Sequence, residues 1–114
     1  MFSLNDALEY YLYAHYIEMG KGIEKLSELL RTAGANPLNG NAYLFVSKEK
    51  NMMKILRWER DGFILYQKRL EQGTFELPRF KPGKDLCRID YRVFFLIMEG
   101  ISWENIKLRK RLFI

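Results

Sequence analysis

Met19, Ile23, Leu26, Leu30 and Ala33 recur at spacings of four, three, four and three residues. That period gathers them on one face of a helix, with Lys21, Lys25 and Glu28 on the opposite face. Gly34 fits the left-handed position that closes a helix, and Pro37 follows where a helix cannot continue. The pattern predicts an amphipathic helix at about 18–33. Other segments follow a different period. Leu8 to Tyr16 is dense in aromatics and reads as a strand, with a helical turn as the alternative. Asn36 to Asn41 is a turn by composition, and Tyr43 to Val46 is a short apolar strand. Lys48 to Asn51 is a polar turn. A further strand runs from about Met52 to Glu59 and its partner from Phe63 to Leu70. Asp61-Gly62 joins them as a hairpin signal, because a type I′ turn needs positive φ at both central positions. With Asp61-Gly62 as the loop, Trp58 faces Leu65, Arg57 faces Tyr66, and Lys54 faces Arg69. Two like charges directly opposite are unfavourable. An anionic ligand, a nearby carboxylate or a different register would relieve them.

Pro78, Pro82 and Gly83 mark a linker that carries Arg79, Lys81 and Lys84. Ile89 to Met98 is apolar nearly all round and therefore buried. A helix ended by Gly100 is the favoured reading, with a strand as the alternative. Ser102 is placed to cap a final short helix bearing Trp103 and Ile106. The expected architecture is α+β. An antiparallel sheet centred on the 52–70 hairpin is packed by the helix at about 18–33 and by a C-terminal helical segment. The 114 residues fit one domain, 1–114, ending in a flexible basic tail at 107–114.

Composition narrows the function. Apolar residues make up 48% and aromatics 15% of the chain, which argues against disorder over most of its length. The longest uninterrupted apolar run, Val93 to Met98, is far short of the roughly 20 residues of a membrane span. No secretory signal is visible after Met1, and Cys87 is the only cysteine, so a cytoplasmic location without disulfides is expected. The net charge of +5 is unevenly spread. Residues 1–36 carry three basic and five acidic side chains, 37–78 carry seven and five, and 79–114 carry nine and four. The positive excess in the later two thirds suits an anionic partner such as nucleic acid. A solvated basic surface accounts for it equally well.

Catalytic chemistry is hard to assemble from these residues. One histidine, His15, and one cysteine, Cys87, do not provide a zinc site of the usual His/Cys type. Gly20-Lys21-Gly22 is too short for a phosphate-cradling loop. The carboxylates at Glu59, Asp61, Glu71, Glu76, Asp85 and Asp90 form no recognisable metal-binding triad. The chain is therefore read as a non-enzyme that needs neither metal nor cofactor. Nucleic-acid binding has better material. Lys48, Lys50, Lys54, Arg57, Lys68 and Arg69 lie on or beside the predicted hairpin, with Trp58 and Tyr66 between them. Lys107, Arg109, Lys110 and Arg111 add a basic end. Cations bind phosphates, and exposed aromatic faces stack on bases. The competing reading makes Trp58 and Tyr66 core residues and the tail a solvated terminus. No helix-turn-helix or other sequence-reading module is recognisable.

Several segments together resemble the small accessory protein encoded by the second open reading frame of insertion-sequence-66 family transposons. They are Asn36-Pro37-Leu38-Asn39-Gly40, Lys54-Ile55-Leu56-Arg57-Trp58, Asp61-Gly62-Phe63, Tyr66-Gln67-Lys68-Arg69-Leu70 and Gly73-Thr74-Phe75-Glu76-Leu77-Pro78. Family members usually carry Gly-Pro-Thr-Asp-Met-Arg-Lys-Gly before the helix. Here the matching positions are His15 to Gly22, with Met19, Lys21 and Gly22 in agreement and Gly20 in place of the arginine. The turn at Ser47 to Asn51 is also poorer in arginine than is usual there. This TnpB-type protein is distinct from the large RNA-guided nucleases that share its name. The resemblance implies a non-enzymatic accessory factor of DNA transposition in a bacterial mobile element. It would bind DNA at the transposon ends, the transposase of the same element, or both. The alternative is a pure protein-interaction module, and a nuclease-type enzyme ranks below both.

Overall fold

The computed structural model describes residues 4–18 and 20–100. In chain order the elements are β1 (Tyr10–Tyr13), α1 (Ile23–Thr32), β2 (Ala42–Val46), β3 (Met52–Glu59), β4 (Gly62–Arg69), β5 (Leu86–Ile89) and α2 (Tyr91–Met98). The strands form one sheet in the order β4-β3-β2-β1-β5. The fold is α+β, as the sequence predicts, with one departure from a fully antiparallel sheet. β1 and β2 run parallel, joined through α1, while the other three pairings are antiparallel. A parallel pair needs a crossover, and α1 supplies it.

The sheet is packed on both faces. Leu26 and Leu30 of α1 close over Ile17, Tyr43, Phe45 and Leu56 on one face. Phe94, Ile97 and Met98 of α2 close over Tyr10, Leu12, Leu44, Met53 and Ile55 on the other. β2 lies between the two layers, which is why all five of its residues, Ala-Tyr-Leu-Phe-Val, are buried and apolar. β4 and β5 lie at opposite edges, so residues 70–85 must cross a face to connect them. Phe75, 1% exposed, anchors that crossing on the α2 side. Its N–H donates to the Lys50 carbonyl at 2.7 Å.

α1 ends where the glycine signal places it. Gly34 has φ +85°, its N–H donates to the Arg31 carbonyl, and Ala35 N–H reaches the Leu30 carbonyl. These are the paired bonds of a Schellman close. The helix starts later than about 18, because Gly22 is extended (φ −98°, ψ −167°) and acts as N-cap. α2 is capped by Asp90, whose carboxylate accepts from Val93 N–H at 2.8 Å. Gly100, at φ +74°, follows its last turn. β5 was not legible within its linker: only four residues long, it follows Pro82-Gly83 and includes the exposed Arg88. The proposed helix at Ser102 and the tail at 107–114 lie outside the described residues.

The hairpin is present, but its loop is Arg60-Asp61 rather than Asp61-Gly62. Glu59 pairs with Gly62, Trp58 with Phe63, Arg57 with Ile64, and Lys54 with Gln67. Gly62 is the first residue of β4 and is not at positive φ. Arg60 is, at +58°, and Asp61 N–H donates across it to the Glu59 carbonyl at 2.7 Å. This register removes the Lys54–Arg69 opposition. It places Leu56 against Leu65 and sets the Trp58 ring edge-on to Phe63 at 5.0 Å.

Candidate nucleic-acid interface

One end of the sheet gathers cations and an exposed ring. β1 and β2 both finish there, and a parallel bridge between Ile17 and Ser47 extends their pairing. The β2–β3 turn then carries Lys48 and Lys50, both exposed. Ser47 holds this turn: its N–H donates to the Met52 carbonyl, its carbonyl accepts from Lys50 N–H, and its hydroxyl accepts from Met52 N–H. Lys50 takes φ +61°. Its ammonium lies 5.8 Å from the centre of the Tyr16 ring, which is 52% exposed. Arg69, also exposed, pairs with Met52 and so stands beside the same turn.

The other predicted contacts are distributed differently. Lys54 is 6% exposed, and its ammonium donates to the Lys21 carbonyl at 2.5 Å, ahead of α1. Arg57 donates from Nε to the Gly40 carbonyl at 3.0 Å and sits 3.4 Å from a Glu59 carboxylate oxygen. Both are committed to holding loops against the sheet. Lys68 donates to the Met98 carbonyl at 2.7 Å, where a cation suits the carbonyl end of α2. Trp58 and Tyr66 do not form one stacking platform. Trp58 shares the α1 face with Phe63, while Tyr66 pairs with Ile55 and packs in the cluster on the α2 face. Lys107, Arg109, Lys110 and Arg111 lie outside the described residues. Tyr16 was missed by sequence reasoning. Only its place within the His15 to Gly22 segment could have drawn attention to it.

Among the described residues no group of three His, Cys, Asp or Glu side chains is placed to hold a metal. His15 Nε2 lies 2.7 Å from Asp85 Oδ1 in an exposed contact that ties the exit of β1 to the start of β5. No described helix is long and apolar enough to cross a membrane. The arrangement offers cations on a tight turn beside an aromatic face, on a scaffold filled by its own core.

The fold defines a small α+β protein with exposed lysines, Lys48 and Lys50, on the β2–β3 turn at one end of its sheet. The profile of the family described as IS66 Orf2 like protein matches residues 8–108, and the chain belongs to that family. It is similar to two proteins of Sinorhizobium fredii (strain NBRC 101917 / NGR234). Uncharacterized protein y4jC is 28% identical over 92 residues, covering 80% of this chain and 77% of the relative. Uncharacterized protein y4hO is 29% identical over 70 residues, covering 61% of this chain and 59% of the relative. No solved structure matches the chain significantly.

Proposed function

We propose that this protein is a non-enzymatic accessory factor of DNA transposition that contacts DNA at the ends of its element and works beside the transposase in the cytoplasm. Membership of the IS66 Orf2-like family carries the transposition setting. The exposed Lys48 and Lys50 beside Tyr16 support the DNA contact. Their ammonium groups supply phosphate affinity, and the ring offers a face to a base or sugar. Lys107, Arg109, Lys110 and Arg111 extend this charge in the sequence. Lys54 and Arg57 support the fold instead, by the bonds they make to loop carbonyls.

The second reading, a pure protein-interaction module, draws on Phe95 of α2, an apolar side chain that is 49% exposed. Fluorescence anisotropy with a labelled element-end duplex separates the two, with and without the transposase. Binding by the isolated protein, weakened in Lys48→Ala/Lys50→Ala, supports the DNA reading. Retention of DNA only through the transposase supports the second. Metal-dependent cleavage of the duplex would overturn both.

A further inference from the structure

β4 is one lateral edge of the sheet. Leu70 N–H donates to the Asn51 carbonyl at 2.7 Å, in register with the β3–β4 ladder. Bonding alternates along an antiparallel pair, so the even-numbered residues of β4 bond to β3. Phe63, Leu65, Gln67 and Arg69 therefore direct their N–H and C=O groups away from β3, toward the open edge. Among the described residues no strand pairs with them.

The two edges of the sheet are unlike. β5 has four residues, includes Arg88, and is preceded by Pro82, Lys84 and Asp85, features that discourage further pairing. β4 has eight residues and no proline, and its first five, Gly-Phe-Ile-Leu-Tyr, carry no charge. A long edge whose first five residues are uncharged can recruit another strand.

We propose that β4 is a dimerisation edge, pairing antiparallel with β4 of a second copy of this chain about a two-fold axis at Leu65. Charge selects that register. Centred on Leu65, Asp61 lies opposite the second copy's Arg69, at both ends of the ladder. Neither residue has an ion-pair partner among the described residues. Centred on Ile64, the pairing sets Arg60 against Lys68, and centred on Tyr66 it sets Asp61 against Glu71. Both are like-charge oppositions. The Leu65 register also brings outward-facing residues together, Leu65 with Leu65 and Phe63 with Gln67, so each pair exchanges two backbone bonds. On the other face Ile64 meets Tyr66 in a non-hydrogen-bonded pair, where side chains approach most closely. A β-branched residue beside an aromatic ring is favourable there. The product is a continuous ten-stranded sheet with β5 at both ends. Arg69 then closes the dimer edge rather than meeting a phosphate, so this inference stands apart from the DNA reading.

Sedimentation equilibrium on the full chain tests it. The wild type is expected at twice 13.7 kDa. Asp61→Arg and Arg69→Asp should each weaken the dimer by about tenfold or more, since each turns two attractive contacts into repulsions. An equimolar mixture of the two variants, or the double variant, should regain wild-type affinity. Leu65→Pro removes an outward N–H and no bond to β3, so it should give a folded monomer by circular dichroism. A monomeric wild type overturns the proposal. A dimer that survives Leu65→Pro, or charge variants that fail to rescue each other, overturns it as well.

Discussion

The Lys54 ammonium donates to the backbone carbonyl of Lys21 from a side chain that is 6% exposed. The bond joins a central strand to the residue two positions ahead of α1, so a cation placed by sequence on a binding surface in fact fixes where the crossover helix begins. Lys54→Ala should destabilise the domain by about 2–4 kcal/mol, from the lost stem packing and an unpaired carbonyl. Lys54→Met restores the packing and should leave a loss of about 1 kcal/mol. Urea denaturation measures both. An Ala variant as stable as wild type would show that the contact does not hold the helix.

The hairpin tip stores strain at Arg60, which sits at φ +58° with Asp61 N–H bonded back to the Glu59 carbonyl. A left-handed backbone costs a side-chain-bearing residue about 1 kcal/mol, and glycine avoids most of that. Arg60→Gly should therefore stabilise the domain by about 0.5–1 kcal/mol. Gly62→Val should be well tolerated, because a Cβ at Gly62 meets nothing within 4 Å. A type I′ turn at Asp61-Gly62 predicts the reverse for Gly62→Val, so thermal melts of the two variants discriminate between the turns.

Particular residues show what the sequence could reveal. The α1 face, its close at Gly34 and the span of β3 follow from periodicity and glycine chemistry, which are local. The hairpin register moved because Asp-Gly is an equally good turn one position along. Cross-strand pairs such as Leu56 with Leu65 decide between the two, and they are not local. The binding surface was harder still. Lysine at position 54 reads as surface by type, and only the tertiary path of the chain brings the Lys21 carbonyl to it. Trp58 and Tyr66, both on the predicted sheet, fall on opposite faces by strand alternation, a consequence of the pleat that also follows from their spacing.

Tyr10 makes alkaline stability informative. It is buried against Phe94, with ring centres 4.4 Å apart, and its hydroxyl donates to the Asn5 carbonyl at 2.8 Å. Burial, and secondarily the neighbouring Tyr91, push its pKa from 10.0 up to about 12. Tyr11 and Tyr13 shift in the same direction, chiefly by burial. A raised folded pKa means that the unfolded chain loses its protons first. The stabilisation is complete below about pH 10 and is lost as pH rises through about 12. Tyr10→Phe should cost about 1 kcal/mol at neutral pH through the lost bond to Asn5. It should also make the decline above pH 10 shallower. Urea midpoints measured across pH 8–12 check this, and an unchanged slope would remove Tyr10 from the account.

The salt dependence of DNA binding separates the two basic regions. Each phosphate neutralised contributes about −0.9 to the slope of log affinity against log salt. Lys48→Ala/Lys50→Ala should lower the magnitude of that slope by up to about 2. Replacing Lys107, Arg109, Lys110 and Arg111 together should lower it by up to about 3–4. Neither set is expected to read sequence, so element-end and random duplexes should weaken alike. Lys54→Met, kept folded, should leave the slope unchanged, because its ammonium is held at the Lys21 carbonyl. If both alanine sets keep the wild-type slope with folding intact, these cations are solvated and the direct DNA contact is wrong. A slope that falls only in the tail variant would move the contact away from the β2–β3 turn and leave Tyr16 and Lys50 as a local cation–π pair.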